Sequence, residues 1–166
     1  MLKAQHAGFT LIELMIGLVI LAILLSLGMP AFTGILESSR TKAAASGFAM
    51  GLQRARAEAI SRNQAVTFTP SVTPSGAGWA MSVGGADFDT KSSAESSGGQ
   101  VTVTPNTAVS FNSLGRATAA VDFDFSGPSG CGGEIRCLRV RVSAGGQVRV
   151  CDPAVTNTAD TRSCGT

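Results

Sequence analysis

Apolar and polar positions divide this chain into three regimes. From Phe9 to Met29 almost every residue is apolar and only Glu13 is charged, and about 21 such residues can cross a bilayer core as a helix. From Thr41 to Arg62 the apolar positions recur at three- and four-residue spacing. Ala45, Phe48, Leu52, Ala55 and Ala59 form one stripe, and Arg40, Lys42, Arg54 and Arg62 lie mostly off it. After Asn63 the period shortens to two. Ala65–Thr69, Trp79–Val83, Val101–Thr104, Ala108–Phe111, Val121–Phe125, Leu138–Ser143 and Gln147–Cys151 read as short strands. Gly84 to Gly99, rich in Gly and Ser, reads as a mobile loop, with acids Asp87, Asp89 and Glu95 too sparse for a calcium site. Gly127-Pro128-Ser129-Gly130 reads as a turn.

The pattern predicts an α+β protein. A long N-terminal helix, membrane-spanning in its first half and amphipathic in its second, packs on an antiparallel β domain of about seven short strands. A helix from Phe9 to Asn63 would be roughly 80 Å long. Gly28 and Pro30 predict a kink where it leaves the membrane. The segments are residues 1–8, 9–30, 31–63 and 64–166.

Charge gives the chain a direction. Residues 1–8 carry Lys3 and His6 and no acid, so by the positive-inside rule they stay in the cytoplasm and the chain beyond the span is exported. A carboxylate such as Glu13 near the end of a span is costly, and such groups are usually paired and functional. No A-x-A-like signal-peptidase site follows the span, because Ser26-Leu27-Gly28-Met29-Pro30 runs on into helix-favouring sequence. The only polar-to-apolar junction preceded by a small residue is Gly8/Phe9. The net charge of +2 is too balanced to imply nucleic acid. Twenty Gly, one Trp and no Tyr point to a loop-rich domain with a modest core. No serine or cysteine sits in a recognisable nucleophile setting, and no cofactor motif is present, so an enzyme is not expected.

Cys131, Cys137, Cys151 and Cys164 crowd the last quarter, an even set that in an exported chain reads as two disulfides. Zinc is disfavoured, because no C-x-x-C pair occurs and the one histidine is His6. Leu138, Val140, Val142, Val148 and Val150 take one face of a hairpin around Ala144-Gly145-Gly146. Pairing Val140 with Val148 sets Cys137 opposite Cys151 and Arg139 opposite Arg149. The expected bridges are then Cys137–Cys151 and Cys131–Cys164, the rival being two short loops, Cys131–Cys137 and Cys151–Cys164. Arg139, Arg141 and Arg149 share the other face. They form either a phosphate-binding stripe or a solvated face that pairs with acids of a neighbouring subunit.

Gly8-Phe9-Thr10-Leu11-Ile12-Glu13-Leu14 resembles the prepilin motif of type IV pilins and type II secretion pseudopilins. The resemblance implies that prepilin peptidase removes residues 1–8 and N-methylates Phe9, and that the new amine pairs with Glu13. Ala55-Arg56-Ala57-Glu58-Ala59, followed by Asn63, resembles the helix end of FimT/FimU minor pilins and H-type pseudopilins. The charges there are expected to form Arg54–Glu58 and Glu58–Arg62 pairs. Some FimT-type pilins take up DNA and carry Gly-Arg-x-Arg in the hairpin. Here Gly146 and Arg149 match and Gln147 replaces the first arginine, so Arg139, Arg141, Gln147 and Arg149 are the candidate DNA contacts. The resemblance implies a minor pilin that primes assembly at a pilus tip, with a DNA-uptake receptor or a type II secretion pseudopilin as alternatives. Implied partners are other minor and major pilins, prepilin peptidase, the inner membrane and DNA. The implied location is the inner membrane, single-pass with a periplasmic domain, then a pilus or pseudopilus.

Overall fold

A computed structural model describes residues 9–71, 76–97, 100–132 and 135–165; within these, the side chains of residues 27–31 and 97 are not described. The leader with Lys3, His6 and Gly8 lies outside the described residues, as do the side chains at the expected Gly28–Pro30 kink. The chain divides into two compact units at Gly34/Ile35.

Helix α1 runs Leu11–Arg62. Thr10 caps it, its hydroxyl accepting the Glu13 N–H at 3.3 Å and its carbonyl the Leu14 N–H at 3.2 Å. The helix ends at Asn63, whose φ of 51 is the left-handed conformation that Asn tolerates. In the first unit, every described side chain from residue 9 to 26 is exposed.

In the second unit the stripe read from the sequence is the core. Ala45, Phe48, Leu52, Ala55 and Ala59 are all 0% exposed. The β domain holds eight strands: β1 (Val66–Ser71), β2 (Gly78–Val83), β3 (Ala86–Lys91), then, after the short helix α2 (Ser93–Ser97), β4 (Thr102–Thr104), β5 (Val109–Phe111), β6 (Val121–Ser126), β7 (Leu138–Val142) and β8 (Val148–Cys151). They form two antiparallel four-stranded sheets, ordered β3-β2-β1-β5 and β4-β6-β7-β8. Phe48 ties both sheets to the helix. Its ring centroid lies 4.9 Å from Phe68 of β1, 5.0 Å from Phe123 and 5.2 Å from Phe125 of β6, each edge to face.

Three expectations are corrected. The stretch read as a mobile loop, Gly84 to Gly99, holds β3 and α2. Gly84 and Gly85 both have positive φ and join Val83 to Ala86 in a two-residue hairpin, a Gly-Gly connection that favours such a turn. Its acids have structural work: Glu95 closes a capping box, accepting from the Ser92 N–H at 3.0 Å, and Asp89 pairs with Arg54 at 2.7 Å. Secondly, Val140 pairs with Val150 rather than Val148. The three-residue loop Ala144–Gly146 brings Ser143 against Gln147, with Ser143 N–H donating to the Gln147 carbonyl at 2.9 Å. Every pair beyond the loop is set by that closure, so Arg141, not Arg139, faces Arg149. Finally, Cys151 then faces Arg139, and the disulfides are Cys131–Cys137 and Cys151–Cys164. The Cys137–Cys151 and Cys131–Cys164 bridges are not formed.

Candidate assembly surface and C-terminal ladder

The N-terminal helix presents an apolar surface with one acid in its first turn. Phe9 is 84% and Leu11 77% exposed, and the large apolar residues through Leu25 are more than half exposed. Glu13 sits at the third helical position, where a carboxylate favours both the free N–H groups and the helix dipole. Among the described residues no helix is long and apolar enough to cross a membrane; the stretch from Phe9 to Met29 ends among residues 27–31, whose side chains are not described. Such a surface suits burial against other apolar helices or lipid, and is too large to leave in water.

The helix-end motif has a physical role for each residue. Ala55 and Ala59 are buried against the sheets. Arg62 pairs with Glu58 at 2.7 Å, as expected, and its guanidinium lies 4.2 Å over the Phe88 ring. Arg54 does not pair with Glu58 but reaches across to Asp89 on the strand missed in the sequence. Arg56, given no separate role by sequence, donates from Nε to the Gly115 carbonyl at 3.0 Å. That carbonyl leaves no room at Gly146, where an added Cβ would stand 1.9 Å from it. Gly146 also has φ +79. The glycine of the hairpin motif is therefore demanded by packing and backbone together.

The hairpin arginines form a ladder with acids of their own chain. Asp122 and Asp124 of β6 lie directly opposite Arg141 and Arg139 of β7. Arg139 grips Asp124 with Nε at 2.6 Å and Nη2 at 2.9 Å; Arg141 grips Asp122 with both contacts at 2.9 Å. The Arg141 guanidinium holds the Asp122 carboxyl below the usual carboxylate range, burial opposing it only in part. Half-exposed pairs of this kind contribute about 0.2–1 kcal/mol each. A signal was present in the sequence: the acids of Val121-Asp122-Phe123-Asp124-Phe125 alternate in phase with Arg139 and Arg141. The expectation that these arginines meet acids of a neighbouring subunit is corrected, since the acids are in the same chain.

The remaining donors hold the tail. Arg141 Nη1 donates to the carbonyls of Cys164 and Gly165 at 2.7 and 2.8 Å, and Arg149 Nη2 to those of Thr161 and Ser163 at 2.7 and 2.9 Å. Asp152 N–H donates to the Arg162 carbonyl at 2.7 Å, and Asp152 bridges Ser163 in parallel. The tail thus lies against the arginine face at the end of β8, and Cys151–Cys164 pins it there. Breaking that bridge by Cys151→Ser and Cys164→Ser should cost about 3 kcal/mol, the chain-entropy value for a loop of this size. Chemical denaturation of the oxidised parent and the double variant measures it. Non-reducing peptide mapping should yield a Cys151–Cys164 peptide, and a Cys137–Cys151 peptide would contradict the fold. With three arginines engaged in this way and Gln147 exposed but uncharged, a phosphate stripe would form only at the expense of the ladder and the tail. Among the described residues no cluster of acids, histidines and cysteines is placed to hold a metal.

Comparison with known proteins agrees with this geometry. The family model described as Type II transport protein GspH matches residues 44–146. The model described as prokaryotic N-terminal methylation motif matches residues 3–29. Among solved structures the chain is similar to the type IV minor pilin FimU of Pseudomonas aeruginosa. One crystal form matches at 17% identity with a TM-score of 0.52, covering 66% of this chain and 90% of that one. A second matches at 16% identity and 0.55, covering 70% and 91%. It is also similar to the minor pseudopilin EpsH of the Vibrio cholerae type 2 secretion system, at 15% identity and a TM-score of 0.51, covering 70% and 99%. At these identities the likeness is one of fold. None of the curated proteins compared with the chain matches it significantly.

Proposed function

The chain belongs to the Type II transport protein GspH family, and from that premise we propose that it is a minor pilin that primes a type IV pilus and remains at its tip. At the coarser level it is a minor pilin or pseudopilin, a structural subunit of a type IV pilus or type II secretion pseudopilus that associates with other pilins. The observation that carries the reading is the exposed, largely apolar helix surface from Phe9 to Ser26, in which Glu13 is the one charged residue. Before assembly the same surface rests in the inner membrane, with the β domain in the periplasm. A type II secretion pseudopilin is the second reading, favoured by the matching family's own description.

Prepilin peptidase is the first partner in this scheme. It cleaves after Gly8, and the new amine of Phe9 is methylated. Intact-mass measurement of protein extracted from membranes should give a species that begins at N-methylated Phe9. A mature species that retains residues 1–8 would refute the reading. DNA uptake is not part of the proposal, because the arginines that would carry it are bound to Asp122, Asp124 and the tail.

A further inference from the structure

The two sheets end in the edge strands β3, β5, β4 and β8, and three of these edges are blunted. Beside β5 its own following loop takes up the place, with the Thr118 N–H donating to the Ser110 carbonyl at 2.9 Å and Phe111 bridging Ala117. Strand β4 is three residues long and runs into Pro105, which has no N–H to offer a neighbour. Strand β3 shifts register against β2 at Met81/Ser82, and such a bulge turns an edge away from a flat partner. Strand β8 instead pairs without interruption, from Arg139–Cys151 to Val142–Val148.

Hydrogen bonds in an antiparallel pair alternate, and the bond from the Ser143 N–H to the Gln147 carbonyl fixes their phase. In steps of two from Gln147, the main-chain groups of Arg149 and Cys151 turn toward β7, and those of Val148 and Val150 turn away from it. Asp152 is next in that outward series, and its N–H donates to the Arg162 carbonyl at 2.7 Å. The chain's own tail therefore already pairs with this edge one step beyond the strand. Among the described residues, the main-chain groups of Val148 and Val150 meet no other element.

The open edge borders a groove of about 650 Å³ between α1 and β8. Leu138 and Val150 give it an apolar side, and Lys42, Ser46, Arg136 and Arg162 give it a polar one. Val150 is 37% exposed, although it stands on the face that elsewhere is core. Arg162 pairs with Asp160 at 2.7 Å, and the Asp152 carboxylate accepts from the Ala154 N–H at 2.9 Å. Lys42 and Arg136 form no ion pair among the described residues. Arg149, on the opposite face of β8, meets only the tail carbonyls, which leave its charge unneutralised. Cations thus flank the edge on both faces.

We propose that the outer edge of β8 receives an extended acidic segment of a neighbouring pilin subunit, which adds to the sheet as a further strand. Val148 and Val150 each offer it an N–H and a carbonyl, its apolar side chains cover Val150, and its carboxylates meet Lys42, Arg136 or Arg149. The main-chain groups select a polypeptide, because a nucleic acid has no ladder of amides to match them. The identity of the partner rests on the reading of this chain as a pilin subunit; the open edge does not.

The probe is acetyl-Glu-Val-Glu-Val-Glu amide, titrated into the ¹⁵N-labelled full-length chain in a non-ionic detergent, with acetyl-Lys-Val-Lys-Val-Lys amide as control. The acidic peptide should slow hydrogen exchange at the Val148 and Val150 amides to saturation, and the basic one should bind at least about tenfold more weakly. Val150→Pro removes an outward N–H and no bond to β7, so the fold should keep its denaturation midpoint while affinity falls at least about tenfold. Val150→Ala keeps the N–H and should lose much less. Lys42→Glu, on the exposed side of α1, should narrow the gap between the two peptides and decides the charge argument even if the proline variant unfolds. No saturable binding by about 10 mM, the order of a tethered partner's effective concentration, would overturn the proposal. Binding that neither slows these amides nor responds to Val150→Pro would also overturn it and leave a general anion surface. Either failure would leave the pilin reading standing wherever intact mass finds N-methylated Phe9 in filaments.

Discussion

Replacing Glu13 with Ala should leave the β domain folded while lowering incorporation into filaments by at least about tenfold. Folding should survive because Glu13 lies outside the core unit that begins at Ile35 and contributes only a first-turn interaction of about 0.3–1 kcal/mol. Thr10 remains as the cap. Assembly should fail because, in the proposed mature chain, the Phe9 amine and the Glu13 carboxylate enter an apolar environment together. Removing one partner strands a buried charge at a cost of about 3–5 kcal/mol. Each 1.4 kcal/mol is about a factor of ten in an equilibrium, so tenfold is the floor of the expected loss. Glu13→Gln keeps the shape and removes the charge, and it should behave like Ala. The check is the ratio of subunit in sheared filaments to subunit in the membrane, with the Trp79 emission spectrum as the folding control. Unchanged incorporation of Glu13→Ala would remove the assigned role.

The largest effect on stability is expected at Phe48. Its ring is fully buried between two sheets and makes edge-to-face contacts with Phe68, Phe123 and Phe125. Phe48→Ala leaves a void that both sheets border, and buried Phe→Ala changes cost about 3–5 kcal/mol. That is a large share of the roughly 5–15 kcal/mol that holds a domain together. Phe88, partly buried on the edge strand β3, supplies the comparison. Phe88→Ala should cost much less, since only the packing of Arg62 over its ring and part of its apolar area are lost. Denaturant midpoints of both variants in the full chain decide the matter. A loss at Phe48 no greater than at Phe88 would mean that the two sheets are not joined through this ring.

The core stripe of α1 was legible because its spacing records which face is buried, and every residue assigned to it has no exposed surface. Seven of the strands were legible for the same reason, each alternating between core and solvent. The eighth was not, because Ala86-Asp87-Phe88-Asp89-Thr90-Lys91 lies at a sheet edge and buries too little for alternation to separate it from a polar loop. Gly84-Gly85, the hairpin signal, stood at its head. The hairpin register failed for a different reason. Moving Val140 from Val148 to Val150 is a shift of two residues, which leaves every side chain on the same face, so alternation is blind to it. Loop closure at Ala144–Gly146 decides that register, and with it the cysteine pairing. The arginine ladder was half legible. The face was right, but its partners are set by which strand lies beside β7, a fact of topology rather than of local sequence.

The most direct test of the account is recovery of the wild-type chain itself from sheared filaments. Purified type IV pili and type II secretion pseudopili from the same cells would be analysed by intact mass and by stoichiometry against the most abundant pilin. The expected species is a chain that starts at N-methylated Phe9, contains two disulfides, and occurs in few copies per filament, in pili under the first reading and in pseudopili under the second. Absence from both filaments, with the full chain from Met1 retained in the membrane, would contradict it.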